Sequence, residues 1–342
     1  MNYYTRFMGL SNHLNKEVHP KVNAGSTAAE TVWLTDHGPD HIATVIGRIH
    51  DLAFQSGAYV VSPYEAYILA VAAHMHDIGN VYGREEHERR VRDILFGLDD
   101  TLIGDDNIEK RMICDIAMAH GGKIGSDPNG TPDAIAMDTI GRMSHDRPIR
   151  KLAAILRLAD ELADDRTRSN KLDLEVLAEN KSYRRQSEIH HVYAQRLHPP
   201  AIDHQTRTIQ LTFELLMEHV VAKYYKRGKG RYLLDEIFER TLKTHREQIY
   251  CSRFMSPDIL LDRVAVEILV CTPKYQEVRA RLDYTLEQAY PVYICKIADA
   301  VPSLHGVSGH GLAGTIDEIM EARYDGSPVD LNPILSTAEY ES

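Results

Sequence analysis

Two neighbouring side chains, His76 and Asp77, close an otherwise apolar run, AAHMHDIGN over residues 72–80. Burying an imidazole or a carboxylate without a partner is costly, so a chain that ends a core segment this way must supply a partner. Four more residues raise the same problem. Side chains four apart share one face of a helix. On that spacing His76 follows Ile68 and Ala72, His41 precedes Val45 and Ile49, and His87 precedes Val91 and Leu95. His120 follows Ile108, Met112 and Ile116, and Asp160 follows Leu152 and Leu156. Each polar group ends an apolar stripe and is expected to face the core. One inward histidine is ordinarily a core residue satisfied by a hydrogen bond, and Asp160 alone would pair with Arg157 or Arg166. Five helices that each turn a polar group inward, together with Asp77, call for a shared partner. A divalent cation takes nitrogen and oxygen ligands and supplies the missing positive charge. His37, His50, His74 and His145 fit no such stripe and are expected to face solvent or to stand behind the ligands. His37 is the strongest exception, because it lies one turn before His41.

The elements that must position these groups read as a mainly α protein: a helical bundle followed by an α+β extension. The expected organisation is an N-terminal segment over 1–30, a helical metal-site domain over 31–170, an α+β extension over 171–324 and a mobile tail over 325–342. Ser62-Pro63 opens one helix and Gly79-Asn80 stops it. Gly121-Gly122 stops the helix that carries His120. In the extension, residues 187–197 (SEIHHVYAQRL) and 207–216 (RTIQLTFELL) read as β-leaning, and residues 261–271 (LDRVAVEILVC) as a buried strand. Residues 275–290 (YQEVRARLDYTLEQAY) read as a helix, residues 291–297 (PVYICKI) as a strand, and residues 302–314 as a loop before a short helix near 315–324.

Composition narrows the function classes. The chain has 342 residues, 43% of them hydrophobic and 26% charged, with a net charge of −11. An acidic balance offers no general attraction to a nucleic-acid backbone. The one basic cluster, YYKRGKGRY over 224–232, is expected to be a flexible lysine-rich loop. Cys114, Cys251, Cys271 and Cys295 form no C-x-x-C pair, as expected of reduced thiols in an intracellular protein. With no apolar signal core and no run approaching the roughly 18 apolar residues of a membrane span, a cytoplasmic protein without membrane contact is expected.

The ordered set His41, His76-Asp77 and Asp160 resembles the HD-domain phosphohydrolase superfamily. In that superfamily a histidine opens the first helix as H-x-x-x-V, here HIATV; the HD doublet ends a later helix, here HMHDIGN; and an aspartate follows in an L-A-D helix, here LRLADEL. The resemblance covers about residues 36–168. It implies that His41, His76, Asp77 and Asp160 hold one metal. Members with two further histidines between the doublet and the last aspartate often hold two, which here would place a second metal on Asp77, His87 and His120. The GYP tripeptide of the cyclic-dinucleotide phosphodiesterases is absent. The L-T-D-H-G-x-x-H opening also looks like HD proteins of bacterial conflict or stress systems.

The implied activity is hydrolysis of a nucleotide (a dNTP, a cyclic nucleotide or a related nucleoside phosphate) by attack of a metal-activated water on phosphorus. The implied cofactor is one or two ions of Mn, Fe, Co, Ni or Mg. Asp77, His87 and His120 are the expected catalytic residues, with His87 or His120 handling the proton if only one metal binds. Arg84, Lys123, Arg166 and Arg168 are candidate phosphate donors. The expected partner is a small nucleotide rather than a nucleic acid, and homo-oligomerisation is open. The same histidine set would suit a mixed-valent di-iron oxygenase. A metal-dependent single-strand nuclease and a non-catalytic nucleotide sensor are the remaining alternatives.

Overall fold

The computed structural model describes residues 2–22, 35, 37–82, 87–122, 131–135, 147–169, 171–272, 277–287, 296–321 and 326–336. The chain divides into two compact units: Met1–Ala163 with Glu247–Leu260, and Asp164–Arg246 with Leu261–Ser342. The break thus falls before residue 170, and a later stretch of chain returns to the first unit.

The first unit is built from helices α1 (Tyr3–Glu17), α2 (Pro39–Ala53), α3 (Pro63–Met75), α4 (His87–Gly97), α5 (Asn107–Met118) and α6 (Arg147–Glu161). Sequence explains where they begin. Pro39 and Pro63 occupy first-turn positions, where a missing N–H costs nothing. Ser62 and Glu65 form a reciprocal capping box, and the Asp106 carboxylate accepts from the N–H groups of Ile108 and Glu109. Val45, Ile68, Ala72, Val91, Leu95, Met112, Ile116, Leu152 and Leu156 are buried, as their helical spacing requires, whereas Ile49 is only partly buried. Ile108 departs from its expected stripe and is exposed, because it lies in the first turn of α5. The N-terminal segment, without assigned structure in the sequence reading, forms α1, which packs on α3 and buries Leu10 and Leu14.

The second unit contains α7 (Lys171–Glu179), α8 (Lys181–Arg196) and a five-stranded mixed sheet. In chain order the strands are β1 (Ala201–Asp203), β2 (Thr208–Leu216), the hairpin pair β3 (Lys223–Lys226) and β4 (Lys229–Tyr232), β5 (Arg263–Cys271), β6 (Val278–Glu287) and β7 (Val329–Asp330). The sheet order is β1-β2-β5-β6-β7, with β2 and β5 parallel and β5 and β6 antiparallel. One face buries Ile209, Leu211, Phe213 and Leu215 on β2 and Val264, Val266, Ile268 and Val270 on β5. Helix α9 (Leu233–Met255) contributes Leu233–Arg246 to this unit and the remainder to the first.

Several expectations for this half are corrected. Of residues 187–197, all but Leu197 are helical within α8, not β-leaning: Ile189, Val192 and Tyr193 are buried at helical spacing, and that period prevails over a β-branched and aromatic composition. Residues 278–287 are a strand, not a helix, since Ala280, Leu282, Tyr284 and Leu286 alternate strictly with exposed or charged positions. Short helical turns at Pro302–Leu304 and Gly309–Gly314 replace the expected loop, whereas the expected short helix is present as Ile316–Glu321. The expected mobile tail holds β7 and a helix, Leu331–Ser336, whose Leu331 and Leu335 are buried. The expected strand at 291–297 lies mostly outside the described residues. The basic cluster at 224–232 is a hairpin, not a flexible loop: Arg227 and Gly228 both take positive φ in its tight turn. Two of its four cations are engaged, Lys226 by Glu236 and Glu239 and Arg231 by Glu239.

In the first unit Arg157 of α6 donates through Nε and Nη2 to both carboxylate oxygens of Glu247, at 2.7 and 2.9 Å, and both side chains are buried. Its Nη1 donates to the backbone carbonyls of Ala119 and His120, at 3.3 and 3.1 Å. A bidentate pair of this kind is strong while intact, but loss of one partner leaves a buried charge uncompensated. Glu247→Leu is therefore expected to lower unfolding free energy by about 3–5 kcal/mol, and Arg157→Met in the same chain to recover part of that loss. Urea titration checks both.

Candidate metal centre

Every ligand candidate stands at a helix end. His41 lies in the first turn of α2, and His87 is the first described residue of α4. His76 is the C-cap of α3, with Asp77 next; His120 lies just beyond α5, and Asp160 is in the last turn of α6. Three helices thus bring C-terminal ends to this region, where unsatisfied carbonyls and the helix dipole favour positive charge.

Their side chains converge in two groups. One contains His41, His76 and Asp160; the other contains Asp77, His87 and His120. Within each, the candidate ligand atoms lie within 4.8 Å of one another. Asp77 joins the groups. Its Oδ2 lies 3.3 Å from His76 Nε2 and 3.9 Å from His41 Nε2. Its Oδ1 lies 3.2 Å from His87 Nε2 and 3.6 Å from His120 Nε2. Asp160 Oδ1 faces His41 Nε2 at 3.2 Å and His76 Nε2 at 3.6 Å.

Two of the imidazoles have their tautomer set by the helices that carry them. His76 Nδ1 bonds the carbonyl of Ala73 at 2.7 Å, and His120 Nδ1 bonds that of Ala117 at 2.6 Å. A carbonyl only accepts, so each Nδ1 carries a proton, and in the neutral ring Nε2 presents a lone pair. The bond also satisfies a carbonyl left over in the last turn of the helix. The Nε2 lone pairs then face carboxylate oxygens, an arrangement that requires a cation between them. Burial opposes charge on His76, yet the Asp77 and Asp160 carboxylates hold its pKa well above the ordinary imidazole value. Burial likewise opposes charge on Asp77 and Asp160, yet His76, His120 and His87 hold Asp77 well below the carboxylate range, and His41 and His76 do the same for Asp160. His76 Nε2 and Asp160 Oδ1 are buried without a hydrogen bond among the described residues. Two imidazoles and carboxylate oxygen on each side of Asp77 fit a divalent ion, so these residues could hold one metal or two.

Gly79 allows the second group to form. A Cβ there would collide with the backbone carbonyl of His87, so the start of α4 can lie against the HD turn only because residue 79 has no side chain. Sequence reading gave Gly79 and Asn80 the lesser role of ending a helix. The chain instead continues as a 3-10 turn over Ile78–Tyr82, with Asn80 fully buried and neither amide atom hydrogen-bonded among the described residues. A buried amide left this way marks a position that water or ligand completes; an apolar-stripe search does not detect it.

The remaining histidines separate clearly. His37 is buried, its Nδ1 bonds Thr35 carbonyl at 2.5 Å, and its Nε2 lies 3.9 Å from Asp77 Oδ2, so it belongs to the cluster's surroundings. His74 does not face solvent: it is buried against His19, with 2.9 Å between ring nitrogens. His50 is exposed and bonds Tyr59. His145, Arg84 and Lys123 lie outside the described residues. Arg166 is exposed on a 3-10 turn of the second unit, and Arg168 pairs there with Asp164 at 3.7 Å; neither is among the cluster residues. Cys114, Cys251 and Cys271 are buried and free, and Cys295 lies outside the described residues. Among the described residues, no helix is long and apolar enough to cross a membrane.

A mainly helical scaffold that gathers H…HD…H…H…D into paired clusters defines an HD-type protein with a candidate metal centre. The family model described as HD-CE matches residues 30–243, and the chain belongs to that family. No curated protein matches the sequence.

Metal counting by equilibrium dialysis against Mn is expected to give two equivalents per chain. Gly79→Ala should retain one, and Asp77→Ala should weaken both; equal loss of both in Gly79→Ala would contradict the division. The pH dependence has a defined sign. Without metal, the His76 imidazolium contributes stability that is complete below about 6.5 and is lost as pH rises through its raised pKa. The carboxylates contribute above about 3.8 and lose that contribution as pH falls through their lowered values. Metal replaces the proton, so the increase in Tm caused by Mn should grow from mildly acidic to mildly alkaline pH, as thermal unfolding would show.

Proposed function

We propose that the chain is a metal-dependent phosphohydrolase acting on a small nucleotide. The observation that carries this reading is Asp77, whose two oxygens face separate sets of histidines. When bound, divalent cations would lower the pKa of an attacking water and neutralise charge on phosphoryl oxygens. The chain's contribution is to hold those ions with His41, His76 and Asp160 on one side and His87 and His120 on the other, Asp77 between. Locked tautomers at His76 and His120 avoid reorganisation during turnover. If the second group holds no ion, His87 Nε2, 3.2 Å from Asp77 Oδ1, is the group placed to exchange a proton.

Phosphate recognition needs donors. Arg84 lies three residues before His87 and Lys123 three after His120, so both flank the second histidine group in sequence. Arg168 is a weaker candidate because Asp164 engages it. The engaged hairpin cations at 226 and 231 favour a nucleotide over a nucleic-acid strand. A carboxylate that faces both histidine sets also suits a di-iron oxygenase, which is the second reading.

Incubation with dNTPs, NTPs, cyclic mono- and dinucleotides and Mn, Mg, Fe, Co or Ni is expected to release phosphate or a nucleoside phosphate from at least one substrate. Asp77→Ala should abolish release, His87→Ala should lower kcat by at least about a hundredfold, and Lys123→Ala should act mainly on KM. Oxygen uptake with ferrous iron and no phosphorus chemistry would replace this reading with the oxygenase.

A further inference from the structure

A second cluster of hydrogen-bond donors lies far along the sequence from the HD motif, within the second unit. A cavity of about 270 Å³ opens between α7, α8 and the segment following β2. Its apolar wall is formed by Leu174 and Leu177 of α7 and Val192 of α8, of which Leu177 and Val192 are buried. Arg196, His219 and Tyr224 also line it.

Among the described residues, none of these three polar groups donates to an acceptor of the protein. The Arg196 guanidinium is half-buried, and among the described residues it makes no hydrogen bond or ion pair. Glu214 and Glu218 are near enough to act on its charge, but Glu214 is held by His198 at 3.2 Å. His219 Nδ1 accepts from the backbone N–H of Leu216 at 3.0 Å, so in the neutral ring the proton resides on Nε2 and that atom is a donor. Burial, with Arg196 beside it, lowers the His219 pKa to about 4, which keeps the ring neutral at pH 7. Burial raises the Tyr224 phenol to about 12, so it remains a hydroxyl donor. The one carboxylate lining the cavity, Glu188, is committed: Oε1 accepts from Arg184 Nε at 2.7 Å and Oε2 from the Tyr225 N–H at 3.0 Å.

A half-buried arginine with no hydrogen bond or ion pair among the described residues is expensive, and convergent donors beside an apolar wall define a site for an anion with an apolar body. At about 270 Å³ the cavity lies just under the roughly 300–1,000 Å³ of typical small-molecule pockets, which suits a small ligand. We infer that this cavity binds a small organic anion, a carboxylate or phosphomonoester head on an apolar body, with Arg196, His219 Nε2 and the Tyr224 hydroxyl on the head and Leu174, Leu177 and Val192 against the body. The site is separate from the HD cluster residues and does not rest on the phosphohydrolase reading.

The test uses the full chain with chelator present, so that no metal offers a competing phosphate site. Phenylphosphate and benzoate are titrated calorimetrically, with benzyl alcohol as the uncharged comparison. At least one anion is expected to bind, benzyl alcohol at least about tenfold more weakly, and Arg196→Met to weaken the anion by at least about tenfold. Binding of one anion and not the other identifies the head group and supports the site. Tyr224→Phe removes one donor and keeps the ring; it should weaken the same anion several-fold, and it decides the matter if Arg196→Met does not fold. Absence of binding by both anions at millimolar concentration overturns the inference, as does unchanged affinity in the folded variants.

Discussion

A buried carboxylate with imidazole nitrogens on both sides is the constraint on which the first unit depends. Asp77 cannot keep its charge there unless positive charge is supplied, and neutral imidazoles supply none. The structure prepares for a cation in three ways. C-terminal helix ends collect around the doublet. Ala73 and Ala117 carbonyls hold His76 and His120 with Nε2 turned inward. Asp160 adds a second carboxylate on the side of His41 and His76. Protons on His76 are the substitute when no metal is present, which is why its basicity rises despite full burial.

The bundle architecture follows from this requirement. Ligands at the ends of separate helices can be brought within a few ångströms only if those helices pack with their ends level, and the apolar stripes leading to each ligand secure that packing. Arg157 connects the arrangement to the backbone at His120, and Glu247 secures Arg157. Gly79 performs the complementary task at His87 by leaving room for a carbonyl. Residues that never touch a metal therefore determine whether the second histidine group exists.

The candidate ligands and the fold class were legible in the sequence; the course of the chain in the second unit was less so. Ligand types at the ends of period-four stripes are visible without coordinates, and His41, His76, Asp77, His87, His120 and Asp160 all lie in the two clusters. What the stripes do not encode is backbone proximity, so the close contact at Gly79 and the buried amide of Asn80 were missed. In the second unit local signals conflicted. Histidine, valine and tyrosine gave residues 187–197 a strand-like composition although their burial is helical, and charged residues disguised the alternation of 278–287. Arg196 belongs to the same class: only packing reveals that it has no hydrogen-bond acceptor among the described residues. The basic hairpin makes the converse point: two charges of a run that reads as a flexible loop, Lys226 and Arg231, are held by Glu236 and Glu239.

The account is tested most directly by diffraction from crystals soaked in Mn, recorded to locate anomalous scatterers. It predicts two peaks, one among His41, His76, Asp160 and Asp77 Oδ2 and the other among His87, His120 and Asp77 Oδ1. A fully occupied crystal with no peak at either position, or with scatterers bound only elsewhere, would contradict it.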